Sequence, residues 1–153
     1  MATSTGTRSR ASRSAGASAT PSGRLGASLR VGFVLTPRFT LTAFAGFVDA
    51  LRLAADDGDR SRQIECQWVV LGDGAPIVSS CGATVQPWDT MSDPKRFDYI
   101  VVVGGLLHGG QKVLPGTHAF LRAAANAGIG LVGLCTGSFV LARAGLMYGY
   151  VAC

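Results

Sequence analysis

A chain of 153 residues, 48% hydrophobic and 15% charged, is long enough for one domain with a sizeable core and too apolar to be disordered throughout. Its formal net charge of +5 comes from one end: residues 1–30 carry five arginines and no acid, whereas Val31 onward balances nine Lys/Arg against nine Asp/Glu. The basic pI therefore describes a tail and argues against a nucleic-acid-binding face on the body, and no apolar run reaches the roughly 20 residues that span a bilayer.

Residues 1–28 are rich in Ser, Ala, Thr, Gly and Arg, with Leu25 as the one large aliphatic side chain. Such a stretch cannot bury enough apolar surface to offset its ordering entropy, so it reads as a disordered leader. It lacks the apolar stretch of a secretory signal. Its acid-free composition also mimics an organelle transit peptide, although a flexible leader or an over-extended start site is the plainer account. The folded domain is expected over 29–153.

Leu29 to Leu35 predicts a strand. After a loop, Thr40 is placed to cap a helix in which Leu41, Phe44, Val48, Leu51 and Ala55 form a core-facing stripe. Asp56 to Asp59 ends that helix, and Ile64 to Leu71 predicts the second strand. Two short β pieces around Ser79-Ser80-Cys81-Gly82 suggest a hairpin. Phe97 to Val103 reads as a fully buried strand ending at Gly104-Gly105, followed by a loop over 106–116. Thr117 is expected to cap a helix through about Ala127, with Phe120, Leu121, Ala124 and Ala125 inward and Gly128 closing it. Gly128 to Leu134 is a last buried strand, Ser138 to Ala144 a helix stopped by Gly145, and Tyr150 to Cys153 resembles a strand just beginning.

Strands alternating with helices through short Gly-rich turns predict an α/β fold with a mainly parallel sheet and helices on both faces. Ligands of such sheets bind beyond the carboxyl ends of the strands. Gly104-Gly105 and Cys135 each follow a strand directly, so two turns distant in sequence should meet at that edge.

Gly133-Leu134-Cys135-Thr136-Gly137 lies between strand and helix, the layout of a nucleophile elbow. A thiol at the start of a helix meets unpaired N–H groups that favour a thiolate, and nearby backbone N–H groups of Gly104-Gly105 offer an oxyanion cradle. The same turn would equally suit a small residue with no reaction to perform. The other cysteines, Cys66, Cys81 and Cys153, lie far apart without metal-ligand spacing, and buried, inert thiols in a reducing cytosol are the default for most of the four. His108 reads as an exposed loop residue that could line the pocket, His118 as a surface residue, and Trp68 and Trp88 as core or edge packing. No metal or cofactor motif is present: the Gly104–Gly110 stretch lacks the Lys-Ser/Thr of a phosphate loop.

Phe97-Asp98-Tyr99-Ile100-Val101-Val102-Val103-Gly104-Gly105, Leu134-Cys135-Thr136-Gly137-Ser138-Phe139-Val140-Leu141-Ala142, Ala144-Gly145-Leu146 and Asp49-Ala50-Leu51-Arg52 together resemble the PfpI-like branch of the class I glutamine amidotransferase-like fold. More specifically, they resemble the amidase-like N-terminal half of GlxA-type AraC-family transcription regulators, from about Val31 to Cys153. The resemblance implies a flavodoxin-like sheet, incomplete at the C-terminus. It also implies a cytoplasmic, homodimeric, effector-sensing domain that reaches DNA only through a C-terminal helix-turn-helix domain absent from this chain, so that the chain looks like a truncated product. The effector implied is a small amino-acid-like or quaternary-ammonium metabolite held by Gly104, Gly105, His108, Cys135 and Thr136.

Two departures weigh against catalysis. Enzymes of this superfamily place an acidic side chain against the cysteine from the loop after the first strand. Spacing puts that position at about Ala43, and no Asp or Glu occurs before Asp49. The enzymes also supply a His about 20 residues after the cysteine, which lies past Cys153. A nucleophile without base or orienting acid lacks the geometry of covalent catalysis. The expected function is thus non-catalytic sensing. The alternative is a PfpI-type amidase, hydratase or peptidase with Cys135 as its catalytic nucleophile, and a third reading is a remnant of marginal stability with an unpaired sheet edge.

Overall fold

The computed structural model describes residues 29–150 apart from 57 and 109; the leader expected over 1–28 and the strand expected at the last residues lie outside them, save Tyr150, which belongs to no strand. The order of elements is β1 (Leu29–Leu35), α1 (Leu41–Ala55), β2 (Cys66–Leu71), β3 (Ile77–Val78), β4 (Thr84–Val85), β5 (Tyr99–Val103), α2 (Thr117–Asn126), β6 (Gly130–Leu134) and α3 (Gly137–Arg143). β2, β1, β5 and β6 form, in that order, one parallel sheet, while β3 and β4 make the expected antiparallel hairpin. Starts of β2 and β5 fall about two residues later than the hydrophobic runs: Phe97 is already buried in the turn that enters β5, whereas Ile64, before β2, is exposed.

Register levels the strand ends. Leu35 pairs with Val103 and Val103 with Leu134, so β1, β5 and β6 terminate in one row. The residues that follow, Thr36, Gly104 and Cys135, therefore emerge side by side. The Thr36 amide donates to Val103 O (3.0 Å) and that of Gly104 to Leu134 O (3.1 Å), carrying the ladder one step past the sheet.

Alternation along the strands divides the core in two. Val31, Phe33, Leu35, Val70, Val101 and Val103 face α1, whose Leu41, Phe44, Val48 and Leu51 supply the predicted stripe, joined by Phe47. Phe33 meets Phe44 and Phe47 edge-on, at ring-centroid distances of 5.3 and 5.8 Å. Each fully buried Phe contributes about 1.5–3 kcal/mol of transfer free energy. Val34, Leu71, Ile100 and Val102 face the other way, onto Phe120, Leu121 and Ala124 of α2 and Val140 and Leu141 of α3. Helices thus cover both faces. α2 starts one residue earlier than its expected cap: Gly116, at φ +81°, is the N-cap, and Thr117 is the first helical residue, with its hydroxyl donating to Met91 Sδ (3.8 Å).

The return from α1 to β2 is pinned by one carboxylate. Asp56, at the end of α1, has a side chain only 2% exposed. Arg62 Nε and Nη2 donate to its two oxygens (2.9 and 3.0 Å), as do the amides of Gly58, Arg60 and Arg62 (2.9, 3.3 and 3.2 Å). The Arg62 side chain first, and then the Gly58 and Arg62 amides, hold the Asp56 carboxyl far below its ordinary range against the opposing effect of burial. A depressed folded-state pKa gives stability that is fully present above the unfolded value, about 3.9, and is lost as pH falls toward the folded one. Asp56→Asn should therefore lower the melting temperature at pH 7, and the gap from the parent should narrow in a melt at pH 3. An unchanged gap would show that the bonds contribute by shape alone.

Candidate functional site

The elbow forms because α3 lies against the end of β5 with almost no space between backbones. A Cβ at Gly137 would fall inside contact distance of Val102 O, and one at Gly104 would strike Gly137 N and the Thr136 carbonyl carbon. The chain can turn from β6 into α3 so tightly only with Cys135 in the left-handed region, at φ +53°. A non-glycine residue there is uncommon and costs of order 1–3 kcal/mol, repaid by the packing around it. The turn lifts the Cys135 side chain to the surface at the carboxyl edge of the sheet, where it is exposed.

Among the described residues one hydrogen bond reaches that thiol: Thr40 Oγ1 lies 3.4 Å from Cys135 Sγ. Thr40 does occupy the N-cap of α1, but its side chain makes no capping bond and points to the sulfur instead. Spacing put the enzymes' acidic position at about Ala43, whose methyl group can make no hydrogen bond, and the bond to the thiol comes from Thr40 instead. The strap over 36–40 doubles back across the sheet edge, bonding Gly104 O through the Thr40 amide (2.9 Å) and Ser80 N through Phe39 O (2.9 Å). The first residue of the helix region therefore meets the elbow, while Ala43 packs into the core. Among the described residues no carboxylate or imidazole bonds Cys135. Asp49 is on the outer side of α1, paired with Arg52 at 3.4 Å.

The structure brings Gly104, Gly105, Cys135 and Thr136 together. Gly104 and Gly105 are buried. The Gly104 amide is spent on Leu134 O, so it is not free to cradle an oxyanion. Thr136 donates its hydroxyl to Gly105 O (2.7 Å). Gln111, buried in the loop over 106–116, ties the two turns: with its amide oriented to match donors with acceptors, its oxygen accepts from Gly105 N (3.2 Å) and its nitrogen donates to Thr136 O (3.0 Å). Arg143 Nη1 donates to the Gln111 carbonyl (2.9 Å). His108 is exposed in the same loop and no hydrogen bond joins it to Cys135. Thr40 and Gln111 were the contacts that sequence reading missed. Thr40 carried a signal, though a misleading one, and Gln111 carried none.

Other residues depart from expectation. Of the described cysteines only Cys66 is buried, which pushes its thiol pKa up; Cys81 sits exposed at the hairpin turn, where the Ser79 hydroxyl (3.3 Å) and then the Ala83 amide hold its thiol below the ordinary value. His118 is half-buried, with Nε2 buried and unpartnered among the described residues. Trp68 joins the core and Trp88 is exposed. Among the described residues no helix is long and apolar enough to cross a membrane, and no group of three or more His, Cys, Asp or Glu could hold a metal ion.

A parallel sheet flanked by helices, with a positive-φ cysteine raised between strand and helix, defines a cysteine-elbow α/β domain of the amidotransferase-like type. The chain belongs to the DJ-1/PfpI family, whose model matches residues 30–151. It is 36% identical over 122 residues to the HTH-type transcriptional regulator GbdR of Pseudomonas aeruginosa, an alignment that covers 78% of this chain and 32% of the regulator. It is 32% identical over 122 residues to an isonitrile hydratase of Pseudomonas putida, covering 80% and 50%. Among solved structures, an AraC family transcriptional regulator from Pseudomonas putida superposes with a TM-score of 0.64 at 29% identity, covering 78% of this chain and 72% of that one. The chain thus spans about a third of the length of the curated regulator it matches.

The Gly104–Gly137 contact has a direct test. Gly104→Ala would press a methyl group onto backbone atoms that no rotamer change can move, so it should cost at least the 1–3 kcal/mol typical of overpacking. Gly46, inside α1 with nothing near its missing Cβ, is the control: Gly46→Ala should stabilise by about 1 kcal/mol. Urea denaturation of both variants checks the pair. Equal effects would refute the close-approach account of the elbow.

Proposed function

We propose that this chain is the effector-sensing part of an AraC-type transcription regulator. In this reading a small amino-acid-like or quaternary-ammonium metabolite is held without turnover beside Gly104, Gly105, His108, Cys135 and Thr136. The observation that carries the proposal is the partner of the thiol. Thr40 offers a neutral hydroxyl with no proton-accepting strength at neutral pH, where a covalent catalyst needs a base or an orienting acid. The identities with GbdR and with the Pseudomonas putida regulator structure support the same reading. So does the Gln111 tie, which joins the pocket loop to the elbow and would let an occupant of the pocket shift both turns at once.

The wider regulator is part of the proposal. It would be a cytoplasmic homodimer touching DNA through a helix-turn-helix domain distinct from residues 29–153. The exposed outer face of α1, with Ala45, Gly46, Ala50 and Leu53, supports a dimer contact. A second reading, a cysteine-dependent hydratase, amidase or peptidase, is favoured by the isonitrile hydratase identity and by the retained left-handed elbow at Cys135.

Thermal-shift screening against amino-acid-like and quaternary-ammonium metabolites, confirmed by calorimetry, tests the sensing reading. A cognate effector at a hundredfold excess over Kd should stabilise the fold by about 2.7 kcal/mol. The Cys135→Ser variant should keep that response to within a few-fold in Kd. A panel in which no metabolite raises the melting temperature would defeat the proposal.

A further inference from the structure

The sequence pattern predicts two backbone amides open beside Cys135, those of Gly104 and Gly105, and both are taken. The Gly104 amide belongs to the sheet ladder through Leu134 O (3.1 Å), a bond that cannot open without parting β5 from β6. The Gly105 amide is taken by a side chain. It donates to the carboxamide oxygen of Gln111 (3.2 Å), and the carboxamide nitrogen donates in turn to Thr136 O (3.0 Å).

Gly105 N and Thr136 O thus form a donor–acceptor pair set on two turns, the one after β5 and the one that carries Cys135. A primary carboxamide matches such a pair, since its oxygen accepts while its nitrogen donates. A carboxylate does not, because it has no proton to offer Thr136 O. Gln111 occupies the pair from within the chain in the way a ligand would.

The loop that carries Gln111 is fastened by little else. Gln111 is only 6% exposed, although Gly110 and Lys112 on either side of it are exposed. Leu106 is held at the loop's start by Arg38 O (3.2 Å), and Val113 packs against the core beside α2. Between them, among the described residues, the hydrogen bonds that reach another part of the domain are those of Gln111: its carboxamide on the two turns and its carbonyl on Arg143 Nη1 (2.9 Å). Leu107, His108 and Gly110 are exposed. Withdrawing one side chain therefore uncovers the pair without disturbing the sheet.

We propose that Gln111 is an autoinhibitory plug: its carboxamide closes the Gly105–Thr136 pair, and the pair receives a ligand's primary carboxamide only when the loop withdraws that side chain. The inference rests on the reading of this edge as a binding site and adds the device that regulates it. A ligand's apparent affinity is lowered by the fraction of molecules in which the plug is out. The same contact leaves Cys135 without an open Gly105 amide for a developing oxyanion while the loop is in place.

Gln111→Ala removes from the side chain the atoms of one acetamide, which makes acetamide the probe and acetate its counterpart without a donor. In ¹⁵N NMR of the full chain, acetamide should shift the Gly105 and Thr136 amides of Gln111→Ala saturably. It should bind this variant at least tenfold more tightly than it binds the parent, and at least tenfold more tightly than acetate does. Gln111→Glu decides the matter if the alanine variant fails to fold. At neutral pH its carboxylate would face Thr136 O, so the Gly105 amide should exchange with solvent at least tenfold faster than in the parent at the same pH. Protonating that carboxyl restores the donor, and the exchange ratio should return toward one as pH falls. No saturable shift in Gln111→Ala, equal binding of acetamide by variant and parent, equal binding of acetamide and acetate by the variant, or an exchange ratio in Gln111→Glu that stays at one or ignores pH would overturn the inference. No effector enters these measurements, so their failure and the failure of an effector screen are told apart.

Discussion

The contact on which the site depends is between backbones: the first turn of α3 rests on the end of β5, with Gly137 against Val102 O and Gly104 against Gly137 N. Side chains at either position would hold helix and strand apart. Because they touch, the link from β6 to α3 has to turn within Cys135 and Thr136, and Cys135 takes a left-handed conformation that raises its sulfur above the sheet. The level ends of β1, β5 and β6 then decide what stands next to that sulfur. Thr36, Gly104 and Cys135 leave the sheet in one row, and the strap that starts at Thr36 returns Thr40 to the thiol.

That arrangement keeps the geometry of a nucleophile elbow and sets a hydroxyl beside the thiol. Catalysis by a thiol needs a neighbour that takes up or directs a proton, and a threonine hydroxyl does neither at neutral pH. What remains is an exposed sulfur in a pre-formed turn, braced by Thr136 on Gly105 O and by Gln111 across both turns.

Most of the fold was legible in the sequence. The period of Leu41, Phe44, Val48 and Leu51 specifies α1, and the apolar runs ending at Leu35 and Val103 specify two central strands, because burial on both faces leaves mainly hydrophobic residues to read; the run ending at Leu134 also forms a parallel strand, but it lies at the edge of the described sheet and is only half-buried, not the buried strand expected. Gly104-Gly105 and Cys135 were expected to converge, since each ends such a run. The side chain facing the thiol was not legible. Thr40 carries the signature of an N-cap, and local pattern gives no sign that its hydroxyl turns away from its own helix toward a residue 95 positions on. Gln111 lies in a loop without periodicity, so its role emerges only when β5, α3 and that loop are assembled. Asp56 was legible as a helix stop, and its five hydrogen bonds were not.

The central proposal is that Cys135 helps to hold a ligand without turnover, a reading carried by its hydrogen bond to Thr40. The most direct measurement is turnover of a simple isonitrile and of a simple amide by the parent chain and by Cys135→Ser, followed at neutral pH with matched protein concentrations. The account predicts the same rate for both proteins, equal to that of buffer. Turnover by the parent that disappears in Cys135→Ser would contradict it.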